Sequence, residues 1–333
     1  REAAERALEI DPELPGGHGA LGYYYYAVRD YDRALEELAI AERGSPGSSW
    51  EPSVRGSILK RQGKWDEALA SEKRALALSP RDHDLLARVG RTCVSLRRYE
   101  EAEPHFDRAL ALQPDALEVA WEKAMVPLFS RGDTGPLRAL VEEIPPGLDP
   151  WGLVTFLHWY VEYLDRDYAA ALEVLSHSEF EFFEFPGGSA PRTLLIGACY
   201  GLLGETDLAQ AAGDSARRDL EARLIERPDD PWLHMALGLT HMLLGQKDEA
   251  FRAARRAVEL LPISEDAVDG PAAVRTLAAV YAWFGEVDAA VEQFDHYLSV
   301  PAPESIEFIL LDPLVDPIRD DPRFQALVDK YER

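Results

Sequence analysis

The sequence contains little sulfur and no long apolar run. Its 333 residues include two cysteines, Cys93 and Cys199, and three methionines. The two cysteines lie far apart on predicted helices, so we expect them to be small buried hydrophobes rather than a disulfide or metal site. The longest apolar stretch, Leu194–Gly204, is shorter than the roughly 20 residues that a membrane-spanning helix needs. We therefore expect no membrane insertion.

Basic side chains are also scarce. The chain has 35 Lys and Arg against 60 Asp and Glu, for a net charge of −25. This balance argues against general binding to nucleic acid or anionic lipid, and it favours solubility and basic partners. No signal peptide is present, so we expect a cytoplasmic location. The chain begins at Arg1 inside a predicted helix, which is typical of a fragment.

Known catalytic motifs are missing as well. There is no phosphate-binding loop of the form G-x-x-x-x-G-K, no H-E-x-x-H and no G-x-S-x-G. His234 and His241 are seven residues apart on one predicted helix, too far for one metal without other ligands. Asp82-His83-Asp84 lies at a predicted helix start, where Asp is an ordinary cap. We predict no catalytic residue, no metal and no cofactor, and hence no enzyme.

A period of 34 residues runs through residues 1–116. Prolines, alanines, glycines and aromatics repeat at this spacing, as follows: Pro12, Pro46, Pro80, Pro114; Ala7, Ala41, Ala75, Ala109; Ala34, Ala68, Ala102; Gly22, Gly56, Gly90; Tyr31, Trp65, Tyr99. A helix-turn-helix repeat is the common architecture with this period. Gly and Ala allow two antiparallel helices to approach closely, and Pro ends the second helix. The period predicts stacked helix pairs.

Residues 15–48, 49–82 and 83–116 resemble the tetratricopeptide repeat. In the first of them the family pattern is carried by His18, Leu21-Gly22, Tyr25, Ala34, Leu38, Ala41 and Pro46. The second departs from the pattern at Pro52, Arg55 and Glu72. The resemblance implies an all-α fold, a superhelical solenoid of antiparallel helix pairs that binds proteins or peptides.

The same spacing predicts two arrays and a cap. The first array, residues 1–178, consists of a partial repeat 1–14, the three repeats above, and degenerate repeats 117–149 and 152–185. The stretch Glu179–Phe185 breaks the helical period and predicts an irregular connection. The second array, residues 190–304, consists of repeats 190–223, 231–264 and 271–304, the first with a second helix about two turns longer than usual. Residues 305–333 predict a capping segment.

The tail and the aromatic run Gly22–Tyr26 look like the C-terminal tetratricopeptide regions of large bacterial signalling proteins. Such regions often follow a kinase, a cyclase or a winged-helix DNA-binding domain, and none of the catalytic signatures of those domains is present. The resemblance implies a docking or sensing region. The alternative is the recruiting arm of an enzyme whose kinase or cyclase domain lies upstream of Arg1.

The resemblance also implies that positions 2, 5, 9, 12 and 13 of each repeat face a concave surface. In the first three complete repeats these positions form what we call the front surface: Tyr23, Tyr26, Trp50, Lys60, Arg61, Asp84 and Arg91. One hypothesis is that its basic and aromatic side chains hold an extended acidic peptide. The other is that Lys60, Arg61 and Arg91 pair with acidic neighbours.

The family's chaperone-binding carboxylate clamp is not expected here. The positions that would carry it are Gly19, Tyr23, Val54, Asp84 and Arg88, and only Arg88 fits.

The later repeats place apolar residues at the concave positions, and we call them the rear surface. They are Trp121, Met125, Phe129, Phe156, Tyr160, Tyr163, Trp232, Met235, Met242 and Trp283. An open surface of this kind would mark a binding site for a protein or a small molecule. The alternative is that superhelical closure, the Phe180–Phe185 loop or the tail buries it.

Overall fold

The computed structural model describes residues 1–145, 147–149, 152–185 and 188–332. The chain forms two compact units, unit 1 (Arg1–Lys123) and unit 2 (Ala124–Arg333). The predicted joint at residues 179–190 lies inside unit 2, and the division into two arrays stays a prediction. None of the helices in the described part of the chain combines the length and apolar character needed to cross a lipid bilayer.

Unit 1 consists of antiparallel helix pairs that follow the 34-residue period. Its helices are α1 (Glu2–Ile10), α2 (Pro15–Ala27), α3 (Tyr31–Gly44), α4 (Trp50–Arg61), α5 (Trp65–Leu78), α6 (His83–Ser95) and α7 (Tyr99–Leu112). The helix α8 (Leu117–Arg131) contains the boundary between the units. The predicted all-α helix-pair fold is confirmed.

Unit 2 continues with helix pairs of less regular length. They are α9 (Gly135–Glu143), α10 (Leu153–Leu164), α11 (Tyr168–Ser176), α12 (Arg192–Leu202), α13 (Thr206–Glu226), α14 (Pro231–Leu243), α15 (Lys247–Leu260), α16 (Gly270–Trp283) and α17 (Val287–Ser299). The helix α9 has only nine residues, and the 21-residue α13 matches the long second helix predicted for its repeat.

The repeated small residues lie where paired helices touch. Ala34, Ala68 and Ala102 are fully buried. A Cβ atom on Gly22 would lie 2.8 Å from Leu38 Cγ, and one on Gly90 would lie 2.8 Å from the Phe106 ring. Any larger residue at these glycines would push the paired helices apart. The 34-residue period therefore reflects the packing of paired helices against each other.

Helix ends also follow from the sequence. The helices α1, α3, α5 and α7 each end two residues before one of the prolines that repeat every 34 residues. Proline lacks the N–H that the next helical hydrogen bond requires, and it restricts the residue before it. At the start of α3, the Asp30 carboxylate accepts a hydrogen bond from Arg33 N at 3.4 Å.

The connection after α11 differs from the prediction. Phe182–Phe185 and Gly188–Pro191 form an antiparallel hairpin, β1 and β2, in which Phe183 pairs with Ala190. Glu and Phe alternate from Glu179 to Phe182 with the period of two that a half-buried strand requires, and the alternation breaks at Phe182-Phe183. Phe183 is fully buried in the hairpin, so this segment is ordered rather than irregular.

The tail packs against the last helix pair, and its role as a cap stays a prediction. It contains α18 (Ile306–Leu311), a 3₁₀ turn (Pro313–Ile318) and α19 (Pro322–Tyr331). Phe324, Leu327 and Val328 are buried in one apolar cluster with Phe294 and Tyr297 of α17. Asp312 and Asp321 accept hydrogen bonds from the backbone at the starts of the 3₁₀ turn and α19, as expected for Asp-Pro steps.

Candidate functional site

Two exposed aromatic rings lie side by side in unit 1. Tyr23 of α2 is 55% exposed and Trp50 of α4 is 42% exposed, and their ring centroids are 6.2 Å apart. Tyr26 adds a third ring 6.2 Å from Tyr23. Gly19 lets Trp50 lie close to α2, because a Cβ there would be 3.2 Å from the indole. Among the residues whose side chains the structure describes, Tyr23 and Trp50 are the only exposed Phe, Trp or Tyr side chains.

The basic residues of the front surface are largely engaged within the chain. Lys60 Nζ lies 2.8 Å from Glu72 Oε1 and donates a hydrogen bond to Thr92 Oγ1 at 3.1 Å. Thr92 in turn donates to Glu72 Oε2 at 2.6 Å. Burial lowers the pKa of Lys60, and the nearby Glu72 carboxylate opposes this change. The neighbouring repeats have Leu38 and Phe106 at the position of Glu72. The buried network therefore fills space that an apolar side chain fills in those repeats.

Arg91 also has an acidic partner but keeps more of its surface. Its Nη1 donates to Glu122 Oε1 at 2.6 Å, while 40% of its side chain stays exposed. Burial raises the pKa of Glu122, and Arg91 opposes this change. Arg61 is half-buried, and Arg88 Nη1 donates to Ser57 Oγ at 3.2 Å. Arg91 therefore keeps exposed surface that an external carboxylate could contact.

The rear surface is covered. Met125, Tyr163, Met235 and Met242 are buried, and the other members of the set, including Trp121, Trp232 and Trp283, are half-buried. Met235 and Trp232 pack against α16, and Met242 belongs to the apolar cluster of the last helix pair. Phe156 lies against Phe183 of the hairpin. Partner binding by these side chains stays a prediction, and the contacts match the alternative of internal burial.

One segment of the tail lies across the first helices of unit 2, and we call residues 304–316 the strap. Ser305 N donates to the Phe129 carbonyl at 2.9 Å, and the Phe308 ring packs edge-on against Phe129 at 5.6 Å. At the end of the strap, Arg166 holds Asp316 through two hydrogen bonds of 2.5 and 2.8 Å. The strap thus joins the ends of α8 and α10.

Arg275 of α16 balances the acidic groups of the strap. Its guanidinium lies 3.8 Å from both Glu304 and Asp312, and it packs over the Phe308 ring. Burial opposes protonation of Arg275, but Glu304, Tyr160 and Asp312 raise its pKa above the ordinary value. The pKa values of Tyr160 and Asp312 are raised, mainly by burial. The acidic strap therefore packs on a surface of unit 2 that carries arginine and aromatic side chains.

Sequence reasoning missed Arg275 and Arg166. Arg275 occupies position 5 of the repeat 271–304, so the mapping that selected Trp283 could also have found it. Arg166 lies in the turn after α10, and nothing in the local sequence connects it to Asp316.

The histidines and the short acidic cluster have local partners. His234 Nε2 contacts the Pro228 carbonyl at 2.9 Å, and His241 Nδ1 contacts Gln246 Oε1 at 2.6 Å. The side chains of Asp82, His83 and Asp84 are close enough to share an ion. Asp82 nevertheless accepts hydrogen bonds from Asp84 N and Leu85 N, as a helix cap does. We assign no metal site to this cluster.

A cleft of about 460 Å³ in unit 2 is lined by polar side chains of α10 and α11. Glu162 is held by two hydrogen bonds from Arg138, and His177 Nδ1 contacts the Glu173 carbonyl at 2.9 Å. Glu162 and His177 thus have partners within the chain, and we assign no chemistry to the cleft.

Both cysteines are fully buried and unpaired, as predicted. Cys199 Sγ accepts a hydrogen bond from the Trp159 indole at 3.3 Å. Burial raises the pKa of each thiol to about 11, which makes both poor nucleophiles.

Comparisons with known proteins agree with the repeat interpretation over part of the chain. Residues 54–117 match a family model described as tetratricopeptide repeat. This stretch covers most of the second complete repeat and all of the third. RNA polymerase II-associated protein 3 of Mus musculus is 27% identical over 147 residues, which are 44% of this chain. The match spans only 22% of the length of that relative.

Solved structures with low sequence identity also align. The chain is 18% identical to pilF of Pseudomonas aeruginosa, covering 61% of this chain and 90% of that one, with a TM-score of 0.48. It is 17% identical to YrrB, which is described as a TPR protein with an unusual peptide-binding site. That alignment covers 64% of this chain and 90% of the other, with a TM-score of 0.37.

Proposed function

We propose that this helical-repeat protein is a non-catalytic scaffold that docks a partner protein on the front surface of unit 1. The observation that carries the proposal is the Tyr23–Trp50 pair, two large rings exposed next to each other on the first helices of successive pairs. Exposed aromatic side chains supply much of the binding energy of protein interfaces, because they bury a large area with few rotatable bonds.

The rear surface supports this choice by contrast. Its aromatic and methionine side chains are already covered by neighbouring helices, the hairpin and the strap. A partner that binds at Phe129 would have to displace Phe308, which is almost fully buried. The front surface requires no such displacement.

The test compares two double variants of the full chain. Tyr23→Ser with Trp50→Ser removes the aromatic pair, and Leu203→Ser with Leu208→Ser removes two comparably exposed apolar side chains of unit 2. Proteins captured from a lysate of the source organism are quantified by mass spectrometry, after circular dichroism has verified that both variants are folded.

We expect at least one captured protein to be retained by the wild type and the Leu203/Leu208 control. The same protein should be depleted about tenfold or more by the Tyr23/Trp50 variant, as when a hot-spot side chain is truncated. An unchanged set of captured proteins would contradict the proposed function.

We further propose that the docking surface serves a larger bacterial signalling protein, as the resemblance of the tail and of Gly22–Tyr26 implies. The alternative is a substrate-recruiting arm of a Ser/Thr kinase or nucleotide cyclase. The complete coding sequence distinguishes the two, since a kinase or cyclase signature upstream of Arg1 would favour the alternative.

A further inference from the structure

We infer that the front surface takes an acidic segment with a large apolar anchor, the same class of segment as the strap of unit 2. The inference rests on the proposed function, and it adds the chemistry of the partner. It starts from the strap, because the strap shows which kind of chain the first helices of this protein accommodate.

The strap is held by two kinds of contact. Its carboxylates meet arginines of unit 2, since Glu304 and Asp312 lie near Arg275, and Asp316 is held by Arg166. Its Phe308 packs edge-on against Phe129. Arginine and an aromatic ring on the first helices therefore accept an acidic residue and an apolar side chain from one segment.

The front surface offers the same two features without a covering segment among the described residues. The Tyr23–Trp50 pair supplies an exposed aromatic platform. Arg91 uses one guanidinium nitrogen for Glu122 and remains 40% exposed, so further N–H groups are available to a carboxylate. The exposed carboxylate of Asp84 lies near the start of α6, seven residues before Arg91, or about 10 Å away along the helix.

The distribution of charge between the units points the same way. Unit 1 has 18 Lys and Arg against 23 Asp and Glu, while unit 2 has 17 against 37. An acidic segment is therefore repelled much less by unit 1 than by unit 2. The overall charge of −25 hides this difference.

A peptide copied from the chain provides the probe. A fluorescently labelled peptide with the sequence of residues 303–316 is titrated with the full-length chain, and binding is followed by fluorescence anisotropy at low and high salt. Two altered peptides accompany it. One replaces Glu304, Glu307, Asp312 and Asp316 by the corresponding amides, and the other replaces the same residues by Lys.

We expect the acidic peptide to bind more tightly than its amide analogue by about tenfold, and to weaken at high salt. The Lys analogue should bind more weakly than either. Trp50→Ala in the chain should reduce binding of the acidic peptide about tenfold or more. Arg91→Gln should reduce its binding severalfold and remove much of the salt dependence.

Two further variants guard against indirect effects. Arg91→Lys keeps a positive charge beside Glu122, so its affinity should fall between the wild type and Arg91→Gln even if the latter is less stable. Arg166→Ala removes the strap contact of unit 2, lies outside unit 1 and should leave binding unchanged. Binding that depends on Arg166 rather than on Trp50 would place the peptide on unit 2 and overturn the inference.

The remaining outcomes are also decisive. Absence of binding, equal binding of the acidic and amide peptides, or tighter binding of the Lys analogue would each overturn the inference. The proposed function would survive these results if capture of a partner still depended on Tyr23 and Trp50. It would fail with the inference only if that dependence were absent as well.

Discussion

Turn residues between paired helices adopt a left-handed backbone. Glycine occupies this place in several turns, with φ of 73° at Gly63, 78° at Gly204, 69° at Gly245 and 71° at Gly285. Arg29, Arg97 and Arg166 occupy the equivalent place in others, with φ between 55° and 64°. A side chain in this conformation costs roughly 1 kcal/mol, so the turn geometry is set by helix packing and merely eased by glycine.

Gly245→Ala is expected to lower the free energy of unfolding by about 1 kcal/mol, because alanine is disfavoured at positive φ. No atom lies within 4 Å of the added Cβ, so a steric clash does not contribute. Gly47→Ala is the control, since its surroundings are equally open and its φ is not left-handed. Urea denaturation measures both, and equal stabilities of the two variants would contradict the backbone argument.

The contribution of Glu72 to stability depends on the residues around it. It is fully buried at the position where the neighbouring repeats have Leu38 and Phe106. Its carboxylate pairs with Lys60 and accepts a hydrogen bond from Thr92. A buried carboxylate that loses its partner is costly, whereas an apolar replacement of the whole pair is often tolerated.

Lys60→Met is therefore expected to destabilise the protein by about 3–5 kcal/mol, because it leaves the Glu72 carboxylate buried without its cation. Lys60→Met with Glu72→Leu should recover most of this loss. Hydrogen exchange of amides in α4 and α5 reports the change within unit 1. A double variant as unstable as the single one would show that the ion pair is not the cause.

The strap is the element that distinguishes unit 2 from a regular stack of helix pairs. It connects the last helix pair to the end of α8 through a backbone hydrogen bond and a ring contact, and to the turn after α10 through the Arg166–Asp316 ion pair. It also covers Phe129, one of the aromatic residues on the first helices of unit 2.

Arg166→Ala and Asp316→Asn are expected to show a coupling energy of about 0.5–1 kcal/mol at neutral pH. Both side chains are about two-fifths exposed, so solvent screens the pair despite its two hydrogen bonds. Denaturant unfolding of the two single variants and the double variant measures the coupling. Strict additivity would mean that the pair contributes nothing.

The coupling should disappear in acid. Burial opposes ionisation of Asp316, but hydrogen bonds from Arg166 and Arg319 lower its pKa below the ordinary value of 3.8. A carboxylate with a lowered folded-state pKa stabilises the protein above 3.8, and this contribution is lost as the pH falls through the folded-state pKa. The same cycle repeated over this range checks the direction, and a coupling that grew in acid would contradict it.

At the scale of the whole molecule, the two units carry very different charge. Unit 1 is close to balanced, whereas unit 2 has 20 more acidic than basic side chains. Repulsion among like charges destabilises a compact state, and salt screens it.

Added NaCl is therefore expected to increase the hydrogen-exchange protection of α12–α17 more than that of α2–α7. Hydrogen exchange with mass spectrometry follows both sets of helices in one sample and therefore at the same protein concentration. Sodium sulfate is a useful comparison, because it also strengthens apolar burial and should stabilise both units. Equal responses of the two sets to NaCl would contradict the charge argument.

The sequence predicted the helix pairs well, because packing within a pair is recorded at short and regular spacing. The positions of Gly22, Ala34 and Leu38 suffice to place α2 against α3, and Pro46 marks where α3 ends. The hairpin at Phe182–Phe185 was missed because the alternation of Glu and Phe is short and follows a long helical region.

The candidate site was only partly predictable. The repeat positions placed Tyr23 and Trp50 on the front surface, and in the structure their rings are 6.2 Å apart and both are exposed. The same positions placed Lys60 and Arg91 on the front surface. Each pairs with an acidic residue, and helical periodicity alone does not identify that partner. Which cations stay available is decided by these pairings.

The sequence alone determined the all-α helix-pair fold and the helix ends, because both depend on contacts between residues close in the chain. Only the tertiary structure decided which surface is open. Arg166 and Asp316 are 150 residues apart, and Ser305 is 175 residues from Ser130, so no local pattern brings the strap across unit 2. Contacts at that separation arise when the whole unit packs, and they leave the front surface as the proposed docking site.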